Sequence, residues 1–263
     1  MSFWISTDLD GTLLDHDSYS YAPALAALEL CEKQNVPIVL NTSKTQAETA
    51  ALHRELNLAT PIVVENGSAL IFTGSNDCTR VFGEPRSLIL DFIESARISH
   101  NAKLIGFNDL GVSGIVEHTG LSVEAAELAA DKRYSEPFIW QGSDDELVEF
   151  KALAAQQGLS VLKGGRFHHV QGQTDKGKPL EWLKKNLEHL FLSGRGQASE
   201  TKLICLGDNQ NDLAMLGVAD YPVWVRSSKE PPKLEGDKDA IYTKGLGPEG
   251  WNEAVQSVLK THY

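Results

Sequence analysis

No apolar stretch in this sequence approaches the roughly 20 residues that cross a bilayer, so nothing in it predicts a membrane span. The opening Met1-Ser2-Phe3-Trp4-Ile5 lacks the basic region, long apolar core and small-residue cleavage site of a secretory signal. Cysteine is scarce: Cys31, Cys78 and Cys205 are odd in number, far apart and fit no metal-ligand spacing. They read as reduced, buried small hydrophobes, which predicts a cytoplasmic protein. Cationic side chains are in deficit, 24 against 36 acids, for a formal charge of −12. A nucleic-acid partner demands a basic surface, so that class is excluded. Internal repeats and low-complexity tracts are missing too.

What is present is an ordinary globular composition. The 263 residues are 41% hydrophobic and 23% charged, enough for one large domain or two modest ones. A chain this acidic repels small anions at long range. An anionic substrate would need positive charge supplied locally, from a metal ion and a few placed lysines or arginines.

The hydrophobic pattern alternates between two periods. Phe3 to Thr7 reads as a strand, followed by a helix through Leu25, Leu28 and Cys31 with Pro23 in its first turn. Val36 to Leu40 is a continuous apolar run, as in a buried parallel strand, and Thr45-Gln46-Ala47-Glu48 has the form of a capping box. Ile62 to Val64 forms another strand, which Asn66-Gly67 turns into a hairpin with Ala69 to Phe72. Strands alternating with helices predict a parallel, doubly wound α/β sheet.

The rhythm changes between about Phe82 and Gly172. Helices are expected over Ser87 to Ile98 and Ser122 to Arg133, and strands over Leu104 to Phe107 and Phe138 to Trp140. A helix opened by Ser143-Asp144-Asp145-Glu146 should stop at Gly158, and two short strands, Leu159 to Leu162 and Phe167 to Val170, flank Gly164-Gly165. That is an α+β insert. The α/β rhythm resumes after Thr174, with a helix from Leu180 to Leu190, a strand from Leu203 to Leu206, a helix from Asp212 to Leu216, a strand from Val223 to Val225 and a closing helix from Asn252 to Leu259. Ser193 to Ser199 and Lys229 to Asp239 read as exposed loops. The expected architecture is a core of residues 1–82 and 173–263, interrupted by an insert of residues 83–172.

The chemistry concentrates at strand ends. Asp8-Leu9-Asp10-Gly11-Thr12-Leu13 follows the first strand directly, where a parallel sheet opens its ligand crevice. Two acids this close repel unless a cation bridges them or one holds a proton. Both conditions suit phosphoryl transfer, in which one carboxylate attacks phosphorus while the other protonates the leaving oxygen and later activates water. A calcium loop is the competing reading, but Gly11 and Thr12 break its ligand pattern. Leu206-Gly207-Asp208-Asn209-Gln210-Asn211-Asp212 lies just past another apolar strand. Asp208 is a natural oxygen ligand for magnesium, with Asp212 as an outer or water-mediated partner; an acidic helix start is the alternative. Thr42-Ser43-Lys44 offers hydroxyls and a charge at a helix start, and Asp175-Lys176-Gly177-Lys178 places Lys176 to neutralise a phosphate and a carboxylate.

This four-part order resembles the haloacid dehalogenase superfamily of phosphatases, across essentially the whole chain. The resemblance implies Asp8 as nucleophile, Asp10 as acid and base, and Thr42 and Lys176 as phosphate binders. It also implies Mg2+ held by Asp8, the Asp10 backbone carbonyl and Asp208, with Asp212 on its waters and Asn211 on the phosphate. The place of the insert looks like that of a C2-type cap. Asn41-Thr42-Ser43-Lys44-Thr45, Glu65-Asn66-Gly67, Arg133-Tyr134-Ser135-Glu136-Pro137-Phe138, Gly164-Gly165-Arg166-Phe167-His168-His169 and Asp175-Lys176-Gly177 further resemble the mannosyl-3-phosphoglycerate phosphatase family. Ser43-Lys44 stands where the wider sugar-phosphatase pattern has Gly-Arg, which leaves Thr42 and Ser43 competing for the phosphate.

A substrate with a sugar and a glycerate carboxylate needs a cation and hydroxyl acceptors. Arg166 beside Gly164-Gly165 is one candidate reader, with His168, His169, Arg133 and Glu136 as neighbours. His168 and His169 alternate across a strand, so at most one faces the ligand. The expected reaction is hydrolysis of mannosyl- or glucosyl-3-phosphoglycerate. Sucrose phosphate or a hexose phosphate, or a phosphomutase reaction, are the alternatives.

Overall fold

The computed structural model describes residues 2–72, 78–164, 167–191, 201–227 and 239–262. The first strand, β1 (Ser2–Thr7), is buried from Phe3 onward. A 3-10 turn carrying Pro23 leads into α1 (Leu25–Gln34), which ends at Asn35 in a left-handed conformation. After β2 (Ile38–Leu40), the Thr45 capping box opens α2 (Gln46–Glu55): Glu48 N donates to Thr45 Oγ1, and Thr45 N donates to the Glu48 carboxylate. Strands β3 (Ile62–Val64), β4 (Ala69–Phe72) and β5 (Cys78–Val81) follow as an antiparallel meander.

The insert runs through α3 (Arg86–His100), β6 (Leu104–Gly106), α4 (Phe107–Thr119), α5 (Val123–Ala130), β7 (Ser135–Trp140), α6 (Asp144–Gln156), β8 (Leu159–Lys163) and β9 (His168–Gly172). Its four strands form an antiparallel sheet in the order β6-β7-β9-β8. Ile89 and Ile93 of α3 and Phe150 and Ala154 of α6 cover one face, packing on Phe138 and Val170. A smaller cluster joins α4 to α5 through Ile115 and Ala126.

The chain then returns through α7 (Lys178–Phe191), β10 (Thr201–Gly207), α8 (Leu213–Gly217), β11 (Tyr221–Arg226), β12 (Ile241–Leu246) and α9 (Gly247–His262). The parallel sheet has the order β12-β11-β10-β1-β2, and an isolated Asn41–Val63 bridge extends it towards β3. Alternate side chains enter two different cores. Phe3, Ile5, Ile38, Leu40, Ile204 and Leu206 pack with α1 and α9, while Trp4, Val39, Leu203 and Cys205 pack with α7 and α8. Burial on both faces is what continuous apolar strands predict, and it makes the sheet doubly wound.

Several elements depart from expectation. Phe107 begins a helix, not the end of a strand; Gly111 and Gly114 obscure its helical period, and Gly111 kinks it at φ 59°. Helix α5 stops at Ala130, short of Arg133, because the next residues leave the helix to reach the core. Strand β5 is exposed along its whole length and so carries no apolar run to announce it; Cys78, at its start, is exposed too, unlike the buried Cys31 and Cys205. Strand β12 was likewise unannounced, and α9 begins at Gly247, with Pro248 and Glu249 in its first turn. Residues 193–199 and 229–238 of the expected loops lie outside the described residues.

Candidate active site

Parallel pairing brings the chemistry together. Thr7 registers with Leu206, so β1 and β10 end side by side, and Asp8 N donates to Leu206 O at 3.0 Å. The β2 end joins them through Asn41 N, which donates to Thr7 O at 2.8 Å. Three carboxyl ends thus open on one crevice. Glycines allow the close approach: Gly11 has φ 81°, and a Cβ there would lie 3.1 Å from Asp208 Oδ2.

Lys176 is fully buried in the middle of this cluster. Its Nζ donates to Asp8 Oδ1 at 2.6 Å and to Asp212 Oδ1 at 2.7 Å. Asn41 Nδ2 holds its backbone by donating to Lys176 O at 2.9 Å. Burial alone would lower this lysine's pKa, but the Asp212 and Asp8 carboxylates outweigh it and hold the ammonium above its ordinary range. The second Asp212 oxygen accepts from Asp208 N at 3.1 Å and Asn209 N at 3.0 Å. Both oxygens of Asp212 are therefore engaged, and it orients the lysine and the Asp208 loop at once. Burial pushes its carboxyl up to about 6 despite Lys176.

The Thr12 hydroxyl stands between Asp8 and Asp208 as a weak donor, 3.4 Å from Asp8 Oδ2 and 3.5 Å from Asp208 Oδ1. One hydroxyl proton cannot serve both. An oxygen from each of Asp8, Asp208 and Asp212 lies within 4.8 Å of the others, all buried. Among the described residues, Lys176 supplies one positive charge against these carboxylates, which leaves two formal negative charges there. An all-oxygen donor set with that deficit fits a hard divalent cation such as Mg2+.

Asp10 sits apart from this cluster. Its Oδ2 lies 3.0 Å from Lys44 Nζ, while its buried Oδ1 has no hydrogen-bond partner among the described residues. Burial raises the Asp10 carboxyl above the ordinary range, Lys44 pulls it down less strongly, and Asp8 adds to the rise. A carboxyl that readily holds a proton, two residues from one engaged by the Lys176 ammonium, is the division of labour an acid and a nucleophile require.

Asp8 and Asp10 face a cavity of about 650 Å3, together with Ser43, Asn66, Asp208 and Asn211. The insert contributes Leu162, Lys163, Gly164 and His169, the end of β11 contributes Arg226, and the residue after it, Ser227, also lines the space. Of the competing hydroxyls, Ser43 lines the cavity. Thr42 is buried outside the lining and its Oγ1 accepts from Lys44 N at 3.1 Å, shaping the turn into α2. Asn211 Nδ2 donates to Asn66 Oδ1 at 3.0 Å.

Three expected substrate readers are not brought to the cavity. Glu136 is buried against Arg86, 2.6 Å from Nη2, and accepts from Asn108 N at 2.7 Å. Arg133 is exposed, 3.8 Å from Asp131. His168 stacks on Phe138 at 5.4 Å, on the core side of β9. Its neighbour His169 takes the other face and lines the cavity, as strand alternation requires. The His169 Nδ1 is sealed from solvent with no hydrogen-bond partner among the described residues, and burial pushes the imidazole down to about 3, helped by Lys132 and His168. Arg166 lies outside the described residues. Lys163 and Arg226 were missed, although Arg226 closes an apolar strand at its carboxyl end and carried that signal; Asn66, read from the sequence as a turn residue, is in the turn and also lines the cavity.

A family model of haloacid dehalogenase-like hydrolases matches residues 5–110. A glucosyl-3-phosphoglycerate/mannosyl-3-phosphoglycerate phosphatase of Persephonella marina is 36% identical over 97% of this chain and 96% of its own length. An enzyme of the same name from Methanococcoides burtonii is 34% identical over 98% of both chains. Among solved structures, a haloacid dehalogenase-like hydrolase from Bacteroides thetaiotaomicron superposes with a TM-score of 0.70 at 20% identity, over 98% of this chain and 100% of that one.

Proposed function

This chain belongs to the haloacid dehalogenase-like hydrolases as a phosphomonoester phosphatase, and from that premise we propose that it hydrolyses glucosyl- or mannosyl-3-phosphoglycerate through a phospho-aspartate on Asp8. The observation that carries this reading is the pairing of a lysine-held Asp8 with an Asp10 whose buried Oδ1 has no partner, both lining one cavity.

The Asp8 carboxylate attacks phosphorus, forming an Asp8–phosphoryl bond as the bond to the glycerate oxygen breaks. Asp10 gives that oxygen its proton, so the glycoside leaves as a neutral alcohol. Asp10, now ionised, takes a proton from water, whose oxygen attacks the phosphoryl group. Phosphate departs and Asp8 is restored. Lys176 stabilises the ionised Asp8, and Ser43 and Asn211 line the space the phosphate oxygens occupy. Asp8, Asp208 and the Asp10 carbonyl would hold Mg2+, with Asp212 in an outer role, and the ion would supply positive charge to the phosphoryl oxygens.

The insert, residues 83–172, acts as the cap that encloses the sugar end. Lys163 and Arg226 line the cavity from opposite sides and suit a glycerate carboxylate in an otherwise acidic protein. The names of the two relatives point to the same substrate class. Phosphate release from both glycosides, with magnesium and with EDTA, tests the proposal. Turnover with magnesium and none with EDTA is expected; turnover of sucrose phosphate or a hexose phosphate in preference would remove the substrate assignment.

A further inference from the structure

The β3–β4 connection, Glu65 to Ser68, holds three successive left-handed residues: Glu65 at φ 48°, Asn66 at 55° and Gly67 at 86°. Two of them are not glycine, a conformation that persists only where the surroundings enforce it. Every side of this turn is engaged. Glu65 N donates to Lys44 O at 3.0 Å, and Asn66 N donates to Thr42 O at 2.9 Å, which tie it to the loop carrying Ser43. Asn66 Oδ1 meets Asn211, and Thr174 Oγ1 donates to Gly67 O at 3.0 Å. A Cβ on Gly67 would lie 1.9 Å from Asp175 O, so the turn also abuts the backbone that delivers Lys176.

Glu65 carries the turn's one charged side chain, and it points away from the cavity. It is buried, and its carboxylate accepts three hydrogen bonds from the insert: Arg133 N at 2.9 Å on Oε1, then Tyr134 N at 3.1 Å and Ser135 Oγ at 2.6 Å on Oε2. Tyr134 meanwhile packs on the core cluster of α1 and α9. Two further bonds follow the same line: Lys132 Nζ donates to Ser43 O at 3.0 Å, and Thr45 Oγ1 donates to Leu128 O at 2.9 Å. The 128–135 segment is thus seated on the loops that form the active site.

We propose that Glu65 is a positioning residue that fixes the insert over the active site by gripping its Arg133–Ser135 segment. The proposal rests on the phosphatase reading for its consequence in catalysis. A substrate large enough to touch both Asp8 and the insert needs that fixed orientation; a small aryl phosphate needs only the core.

Glu65→Gln is the informative change. Gln has one acceptor oxygen, and its NH2 must face either Arg133 N–H or the Tyr134–Ser135 donors. In the full-length variant, kcat/KM for mannosyl-3-phosphoglycerate should fall at least tenfold, mainly through KM, while that for p-nitrophenyl phosphate stays within about twofold. Amide exchange at Arg133 and Tyr134 should accelerate at least tenfold while β1 and β10 amides stay protected. Ser135→Ala, which removes only the hydroxyl donor, should shift both readouts the same way by less, and it stands in if Glu65→Gln does not fold. Parallel loss on both esters, or unchanged exchange at Arg133 and Tyr134, overturns the proposal. Wild-type protein that hydrolyses neither ester refutes the phosphatase reading instead, and the exchange measurement, which needs no turnover, then decides the grip by itself.

Discussion

Asp8 and Asp212 share one lysine, yet the structure predicts opposite responses to the same near-isosteric change. Asp212 takes three donors: Lys176 Nζ on one oxygen and two backbone N–H groups on the other. An asparagine there offers one acceptor oxygen, and its NH2 confronts either the ammonium or the Asp208 and Asn209 amides. The variant loses a charge-assisted bond, about 1.5–3 kcal/mol, and leaves a buried donor unmet, about 1–3 kcal/mol. Together these span about 2.5–6 kcal/mol, which brackets the loss of about 3–5 kcal/mol on removing one partner of a buried ion pair. For a chain of this size that lowers Tm by about 6–20 °C. In Asp8→Asn the amide oxygen can still accept from Lys176, while the NH2 takes the side of Thr12, whose hydroxyl can accept from it and donate to Asp208 Oδ1. One of three crowded negative charges also disappears. Metal-free Asp8→Asn should therefore melt at or above the wild-type temperature while losing all turnover. Thermal unfolding in EDTA, followed by circular dichroism, compares the three proteins. An Asp8→Asn that falls as far as Asp212→Asn, or an Asp212→Asn that does not fall, refutes the reasoning.

Gly67→Ala places a methyl group 1.9 Å from Asp175 O at φ 86°. The conformational cost alone is about 1–2 kcal/mol, and the clash displaces the backbone beside Lys176, so both Tm and kcat should drop; wild-type values for both would contradict it. His169 gives a pH dependence. Its imidazole is pushed from 6.5 to about 3, so below about pH 6.5 the unfolded chain binds a proton that the folded one refuses, and stability falls as pH drops towards 3. In urea titrations at pH 7.5 and 5.0, His169→Gln should lose less stability between the two pH values than wild type; identical losses would exclude His169 as the cause.

Much of the catalytic cluster was legible in the sequence because each member sits where an apolar strand stops or a helix starts. Asp8, Asp208 and Lys176 need no more than a parallel sheet to bring them together, and the Thr45 capping box formed as its four residues indicate. The choice between Thr42 and Ser43 was not legible, since it depends on which way the chain turns after β2, and adjacent hydroxyls carry no signal of that. Glu136 was read as a neighbour of Arg166 at the substrate, yet Arg86, fifty residues away, makes its burial possible. Helix α4 was hidden by its glycines. Glu65 stood out only as part of the Glu65-Asn66-Gly67 stretch, and nothing local shows its role, because its three partners come from a distant part of the chain.

Rapid quenching of the wild-type enzyme during turnover of mannosyl-3-phosphoglycerate, followed by peptide mass mapping after borohydride reduction, tests the covalent route most directly. The account predicts one modified residue, Asp8, with the label absent when EDTA is present and in Asp8→Asn. A phosphoryl adduct on any other side chain, or steady phosphate release from the Asp8→Asn variant, would contradict it.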